Sequence, residues 1–339
     1  MSGSSADLAE LREAVEAWLS AELGERVEVT ELARLAGGAS QEAWGLIARG
    51  RRLVLRRDLG GSVYDYGVDR RREYEVLSVV ARAGARVPRP LAYTADLLGR
   101  PAFAMERLDG EAIGRRLVSD PRYAPIRPTL VEQLAEDLAT ISRIDPAELP
   151  FLAGPAPGET PARHELDRLQ GQLDGIGEPH PALELGLREL RRRAPGTERV
   201  GVVHGDFRTG NFLVTPDRGL TGILDWEFVH RGDPAEDLGW FCVRAWRFGA
   251  DDLEAGGLAE RDAFLRAYEK AGGPAVDLDV LLWWELFGNV RWAVGSLAQA
   301  QRHLSGTERS VELASLGRIC AEMELETLRL LDRFGGRAA

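Results

Sequence analysis

A carboxylate, an amide and a second carboxylate lie close together in this sequence. Asp206 precedes Asn211 by five residues, in a polar segment between two apolar ones. Asp225 follows Asn211 by 14 residues, at the end of another apolar segment. Phosphoryl transfer uses such a set: one Asp orients and deprotonates an incoming hydroxyl, while an Asn and a second Asp hold Mg²⁺ against nucleotide phosphates.

The surrounding pattern predicts short strands on both sides of these residues. Apolar runs and turn residues favour β segments at 199–204, 212–215 and 219–225, followed by helices to the end of the chain, of which the last two cover 280–303 and 311–334. Upstream, periodicity and glycine or proline breaks predict a helix at 6–23, strands at 27–35, 43–48 and 52–57, a helix at 68–83, and strands near 91–94 and 101–105.

Composition narrows the function classes. The 339 residues are 44% hydrophobic and 29% charged, which is typical of a globular protein. A net charge of −11 argues against nucleic-acid binding, and two cysteines are too few for a disulfide framework or a four-thiolate metal site. Neither a signal-peptide pattern nor an 18-residue apolar run is seen, so we expect a cytoplasmic protein without a membrane partner.

Among the 43 basic residues, Lys270 is the single lysine. Ala271 follows it and no glycine-rich loop precedes it, which excludes a Walker A phosphate loop. The same count disfavours a Schiff-base enzyme. A lysine role elsewhere in the chain would have to be taken by arginine.

The motifs together resemble a known family. Three groups carry the resemblance: His204-Gly205-Asp206 with Asn211, Asp225-Trp226-Glu227, and Gly232-Asp233-Pro234 with Asp237-Leu238-Gly239. They are similar to those of the aminoglycoside phosphotransferase-like small-molecule kinases, which share the protein-kinase fold. The form His204-Gly205-Asp206-Phe207-Arg208 with Asp225-Trp226-Glu227, together with the strand Leu55-Arg56-Arg57, resembles most closely the branch linked to acyl-CoA dehydrogenases. The resemblance implies an α+β fold of two lobes: a small lobe with an antiparallel β-sheet at 1–106, and a mostly helical lobe at 107–339.

The resemblance also implies roles for individual residues. Asp206 would be the catalytic base, and Asn211 and Asp225 would bind Mg²⁺. ATP would be held by residues of the first lobe and the hinge: Gly37, Gly38 and Ser40 in a loop over the phosphates, Arg56 in place of the usual lysine, Glu73 as the partner of Arg56 with Glu75 as the alternative, and Glu106 and Arg107 at the hinge.

The acceptor is expected to be a small molecule with a hydroxyl group. Arg208 and Glu227 are candidate acceptor-binding residues, although Glu227 equally suits the metal or solvent. Because Arg208 suits an anion, we favour a hydroxyacyl-CoA-like metabolite over an aminoglycoside or macrolide antibiotic. The alternative from another class is a catalytically silent nucleotide-binding pseudokinase or regulatory module.

Several neighbouring residues have a structural interpretation instead. His204 is expected to organise its loop by hydrogen bonds, Asp233 to cap a helix, and Asp237 to be a buried hydrogen-bonding residue. The tryptophans near the C-terminus are expected to be mostly core, with one or two lining the acceptor pocket. The remaining histidines show no metal-ligand spacing.

Overall fold

The structure, a computed structural model, describes residues 5–35, 42–58 and 67–336. Its N-terminal part contains a five-stranded antiparallel sheet in the order β1-β2-β3-β5-β4. Two helices accompany the sheet. In chain order the elements are α1 (Ser5–Leu23), β1 (Val29–Arg34), β2 (Glu42–Ala48), β3 (Arg51–Arg57), α2 (Arg70–Ala83), β4 (Pro90–Thr94) and β5 (Ala102–Glu106).

The central hairpin of this sheet follows from its turn residues. Arg49 and Gly50 both have positive φ, 53° and 71°, as the tightest right-twisted hairpins require. The register then pairs Ala43 with Arg56 on the next strand. On its other side β3 pairs with β5, which places Arg56 opposite Phe103. Arg56 therefore lies in the middle of the sheet rather than on an edge.

Helix α2 carries Glu73, which pairs with Arg56 of β3. Asp69 caps its first turn by accepting a hydrogen bond from the Arg72 amide at 2.8 Å, and Gly84 ends it in the left-handed region, with φ of 99°. Its buried face presents Glu73 among apolar residues such as Val76 and Val80. A carboxylate in this position needs a cationic partner, because burial alone would disfavour its charge.

The C-terminal part is mostly helical, with two small two-stranded sheets, β6-β9 and β7-β8. The elements are α3 (Gly114–Ser119), α4 (Arg127–Ile141), α5 (Pro161–Ile176), α6 (Pro181–Arg192), β6 (Gly201–Val203), β7 (Phe212–Thr215), β8 (Gly219–Ile223), β9 (His230–Gly232), α7 (Ala235–Cys242), α8 (Arg261–Lys270), α9 (Leu278–Leu304), α10 (Val311–Leu316) and α11 (Ile319–Gly336).

The two parts are joined by packing and by polar contacts. One hydrophobic cluster combines residues of α2 and β5 with residues of α4, β7 and β8. Arg86, after α2, pairs with Asp137 of α4 at 2.8 Å, and its carbonyl accepts the Ile223 amide at 2.8 Å. Beyond the hinge, Glu111 exchanges two backbone hydrogen bonds with Val214 of β7. These contacts fix one face of the N-terminal lobe against the short sheets of the C-terminal lobe.

The predicted architecture is confirmed: an antiparallel β-sheet lobe is followed by a mostly helical lobe. The prediction of one helix over 311–334 was wrong, because α10 and α11 are separate. The break falls at Gly317, where an added Cβ would lie 3.0 Å from the Cβ of Ala300. The close approach of α10 to α9 at this point has no counterpart in the periodicity of the sequence.

Candidate active site

The segment between β6 and β7 presents Asp206 at the meeting point of several elements. Its Oδ1 accepts hydrogen bonds from Trp240 Nε1 at 2.9 Å and from Arg208 Nε at 3.1 Å. Its Oδ2 accepts from Asn211 Nδ2 at 2.6 Å. The side chain keeps 13% exposure. The carboxylate is thus oriented by three donors yet still open to a ligand.

His204 and Asp237 hold the backbone of this loop. Asp237 accepts from the amides of His204 at 2.7 Å and Gly205 at 2.9 Å. The His204 ring accepts from the Asp206 amide through Nδ1 at 3.1 Å and donates through Nε2 to the Leu224 carbonyl at 2.9 Å. Burial lowers the pKa of His204 to about 4 and raises that of Asp237 to about 7. A neutral imidazole satisfies both of its hydrogen bonds, so His204 organises the loop.

Asn211 and Asp225 come together because β7 and β8 pair. The Leu224 amide donates to the Asn211 carbonyl at 2.8 Å, which brings the next residue, Asp225, beside the loop. The amide nitrogen of Asn211 donates to both the backbone and the carboxylate of Asp206, so its Oδ1 is the atom directed elsewhere. Asp225 is exposed and has φ of 60° and ψ of 65°, a left-handed conformation that a non-glycine residue adopts at some cost.

Glu227 lies among the charges of both lobes. Burial raises its pKa to about 7, and the negative charge of Asp225 acts in the same direction. Arg56 opposes this rise, whereas Glu73 and Asp206 add to it. A backbone hydrogen bond also connects the two lobes here: the Val68 amide before α2 donates to the Glu227 carbonyl at 3.2 Å. Residues far apart in sequence therefore surround one cleft.

The cation of β3 faces this cleft. Arg56 donates to Glu73, whose side chain is 1% exposed, and Arg70 donates to the other oxygen of the same carboxylate. Glu75, the alternative partner predicted for Arg56, pairs instead with Arg71 on the surface at 2.9 Å. Arg70 was missed, since arginine-rich stretches are frequent in this chain and its position one turn before Glu73 was the only signal.

The hinge residues are placed at the end of β5. The amide of Glu106 donates to the Arg89 carbonyl at 2.9 Å, and the amide of Arg107 to the Arg52 carbonyl at 3.0 Å. Because these two amides are already hydrogen-bonded, a nucleotide base would have to form its hydrogen bonds with other backbone groups of this segment. The guanidinium of Arg107 lies over β2, because an added Cβ on Gly45 would come within 2.8 Å of it. The predicted loop residues Gly37, Gly38 and Ser40 lie outside the described residues.

Arg208 and three tryptophans form one wall beside Asp206. The guanidinium carbon of Arg208 lies 4.5 Å from the centroid of Trp246. Trp246 packs at 5.2 Å from Trp240 and at 4.9 Å from Trp292. We call Trp240, Trp246 and Trp292 the tryptophan cluster. That Trp240 contacts the carboxylate was not predicted, because 34 residues separate the two in sequence.

The arrangement contains the groups that phosphoryl transfer requires. A carboxylate with fixed orientation lies beside an amide oxygen and a second, exposed carboxylate, and a cation is held on the facing lobe. Carboxylate and amide oxygens suit Mg²⁺. A guanidinium suits phosphate oxygens.

Comparison with known proteins decides the family. A model described as the phosphotransferase enzyme family matches residues 31–278, which include Arg56, Glu73 and the whole segment from Asp206 to Asp225. The chain belongs to this family. The predictions of the family and of a small-molecule phosphotransferase enzyme are thereby confirmed. No helix in the described part of this phosphotransferase has the length and apolar character needed to cross a membrane.

Curated relatives of this phosphotransferase carry acyl-CoA dehydrogenase names. Acyl-CoA dehydrogenase family member 10 of Mus musculus is 25% identical over 225 residues, which is 63% of this chain and 20% of the relative. Family member 11 of Gallus gallus is 28% identical over 210 residues, which is 60% of this chain and 27% of the relative. The chain thus spans about a quarter of the length of these two relatives.

Solved structures share its fold. A protein of Ralstonia eutropha described as a candidate aminoglycoside phosphotransferase superposes with a TM-score of 0.76 at 22% identity, covering 95% of this chain and 98% of that one. An aminoglycoside phosphotransferase solved with AMP-PNP and hygromycin B gives 0.59 at 19% identity, covering 92% and 97%. Spectinomycin phosphotransferase with ADP and spectinomycin gives 0.63 at 12% identity, covering 93% and 98%.

Proposed function

We propose that this phosphotransferase uses ATP and Mg²⁺ to phosphorylate a hydroxyl of a small molecule, with a hydroxyacyl-CoA-like acceptor favoured over an aminoglycoside or a macrolide. One observation carries the proposal. Glu227 lies within electrostatic reach both of the Arg56–Glu73 pair of the first lobe and of Asp206 and Asp225 of the second, and Asn211 contacts Asp206.

The nucleotide is proposed to lie between an N-terminal lobe, 1–106, and a C-terminal lobe, 107–339. Arg56 would contact its phosphates, with Glu73 holding the guanidinium in place. The loop with Gly37, Gly38 and Ser40 follows β1 directly and is proposed to cover the phosphates. Backbone groups of the hinge at Glu106 and Arg107 would border the base.

The donor set fits Mg²⁺. Asn211 Oδ1 and the Asp225 carboxylate are hard oxygen ligands on adjacent backbone segments, and Glu227 lies next to them. Bound there, Mg²⁺ would supply charge neutralisation for the nucleotide phosphates. The exposure of Asp225 leaves its side chain accessible to a ligand.

Asp206 would act as the base. Its carboxylate would orient the acceptor hydroxyl and take up its proton as the oxygen bonds to the γ-phosphorus and the bond to the ADP oxygen breaks. Asn211, Trp240 and Arg208 fix the carboxylate by hydrogen bonds, which keeps one orientation without further reorganisation.

The surroundings of Asp206 support an anionic acceptor. Arg208 contacts the Asp206 carboxylate and lies over the ring of Trp246, which places a guanidinium where the acceptor hydroxyl would be bound. This guanidinium would attract the phosphates of a CoA thioester and would not attract a polycationic acceptor. The names of the curated relatives agree with an acyl-CoA acceptor.

The test is phosphate transfer from ATP, and in parallel GTP, to hydroxyacyl-CoA thioesters, hygromycin B and spectinomycin, with and without Mg²⁺. We expect transfer to a thioester that needs Mg²⁺ and falls at least 100-fold in Asp206→Asn and Asp225→Asn. Asp217→Asn, in the exposed β7–β8 turn, is the matched control and should keep full activity.

Binding of the nucleotide without transfer to any acceptor or to water would make the chain a silent nucleotide-binding module. Transfer that survives in Asp206→Asn would remove the proposed base. Transfer to the antibiotics alone would keep the kinase reaction and overturn the acceptor class.

A further inference from the structure

Arg291 of α9 reaches the loop that carries Asp206. Its NH2 group donates to the Gly205 carbonyl at 2.8 Å, and its NH1 group to the Glu236 carboxylate at 3.1 Å. Its guanidinium carbon lies 4.7 Å from the ring centroid of Trp240. The side chain is 15% exposed. Contacts from the loop and from α7 therefore fix this guanidinium next to the residue that precedes the proposed base.

Both backbone polar groups of Gly205, the residue before Asp206, are hydrogen-bonded. The Gly205 N–H donates to Asp237 of α7 at 2.9 Å, and the Gly205 carbonyl accepts from Arg291 of α9. Gly205 has φ of 79°, and an added Cβ would lie 2.4 Å from the Phe228 carbonyl, so this position requires glycine. A glycine has a wide range of backbone conformations, and the two hydrogen bonds select one of them.

Arg291 also influences the Asp206 carboxylate indirectly, through Trp240. The indole lies against the guanidinium and donates its Nε1–H to Asp206 Oδ1 at 2.9 Å. A cation over the ring stabilises this placement of the indole. The backbone of Asp206 and one of its carboxylate oxygens thus both depend on the position of one arginine.

Buried charges fix Arg291 in turn. Glu236 is 2% exposed and shares its other oxygen with His230 Nε2 at 3.1 Å. The His230 Nδ1 lies 2.9 Å from the Phe228 carbonyl. Buried carboxylates need paired cations, so Glu236 holds Arg291 and His230 at fixed positions on its two sides.

We propose that Arg291 is a positioning residue for the catalytic base, acting through the Gly205 carbonyl and the Trp240 indole. The inference rests on the proposed function of Asp206. The contacts of Arg291 are with Gly205, Glu236 and Trp240, which hold the loop rather than the proposed nucleotide site, so we expect its effect on the transfer step and not on nucleotide binding.

The experiment measures Mg²⁺-dependent hydrolysis of ATP, with water as the acceptor, by phosphate release. Arg291→Met is expected to lower kcat about 10- to 100-fold, as a displacement of about 1 Å would, with KM for ATP unchanged. Arg291→Lys keeps a donor for one of the two acceptors and should recover part of the loss. The control is Arg302→Met on the same helix, where Arg302 pairs with Gln299 at 2.8 Å and with Glu308.

The effect must pass through Asp206. In an Asp206→Asn background, adding Arg291→Met should cause no further loss of kcat, whereas a merely structural role would multiply the two losses. An unchanged kcat in Arg291→Met, or an equal loss in the Asp206→Asn background, overturns the inference. If Arg291→Met does not fold, Arg291→Lys carries the same double-variant test. An Asp206→Asn variant as active as wild type overturns the proposed base instead.

Discussion

Trp240 donates its indole N–H to the Asp206 carboxylate over 2.9 Å. A hydrogen bond to a charged group contributes about 1.5–3 kcal/mol, and 1.4 kcal/mol is about tenfold in rate. Trp240→Phe should therefore lower kcat for phosphate transfer about tenfold, with little change in KM for ATP. Trp292 packs on Trp246 rather than on Trp240, so Trp292→Phe changes the tryptophan cluster two rings beyond the one that contacts Asp206 and should retain activity. Equal losses in both variants would assign the effect to packing.

Arg56 is expected to be needed as arginine. Its guanidinium can contact Glu73 and a phosphate at once through separate N–H groups, whereas a lysine offers one compact charge. Arg56→Lys should weaken ATP binding about tenfold, and Arg56→Met should weaken it more, as measured by titration calorimetry. Arg57→Met is the matched control on the same strand, since Arg57 pairs with Glu42 at 3.1 Å. Full affinity in Arg56→Lys would mean that only the charge matters.

Glu73 neutralises two buried guanidiniums, so its loss should destabilise the protein. Glu73→Gln removes the carboxylate charge that Arg56 and Arg70, 11% and 10% exposed, share, and we expect a loss of about 3 kcal/mol in the free energy of unfolding. Urea denaturation measures it. Glu75→Gln removes the exposed pair with Arg71 and should cost under about 1 kcal/mol. Similar costs for the two variants would contradict the buried pairing.

His230 makes stability depend on pH above neutrality. Burial alone would lower its pKa, but Glu236 and Glu165 outweigh burial and raise the pKa to about 9. A histidine with a raised pKa in the folded state contributes stability that is complete below its unfolded pKa, about 6.5, and is lost as the pH rises through about 9.

We therefore expect about 3 kcal/mol of unfolding free energy to be lost between pH 6.5 and 9.5. His230→Gln should flatten that part of the profile. The charged groups around His230 also include Arg168, which pairs with Glu165, and Arg291, which pairs with Glu236. The same slope in wild type and His230→Gln would show that another group titrates.

The sequence predicted the residues of the motif better than it predicted the residues that hold the motif in position. The spacing of Asp206, Asn211 and Asp225 needed only the short strands between them, and those strands form. The family pattern also supplied Arg56 and Glu73. The contact of Trp240 with Asp206 and the role of Arg291 could not be predicted, because these residues reach the loop from helices 34 and 85 residues after Asp206, and only the packing of α7 and α9 brings them there.

Arginine at position 56 has a consequence for chemical proteomics. Lys270, the single lysine, lies in the last turn of α8, on an element separate from the cleft. Acyl-phosphate nucleotide probes label ATP-binding proteins by acylating a lysine amine near the phosphates, and a guanidinium is a poor nucleophile toward them. If ATP binds at Arg56 as proposed, surveys with such probes would leave this phosphotransferase unlabelled at that position even while the nucleotide is bound.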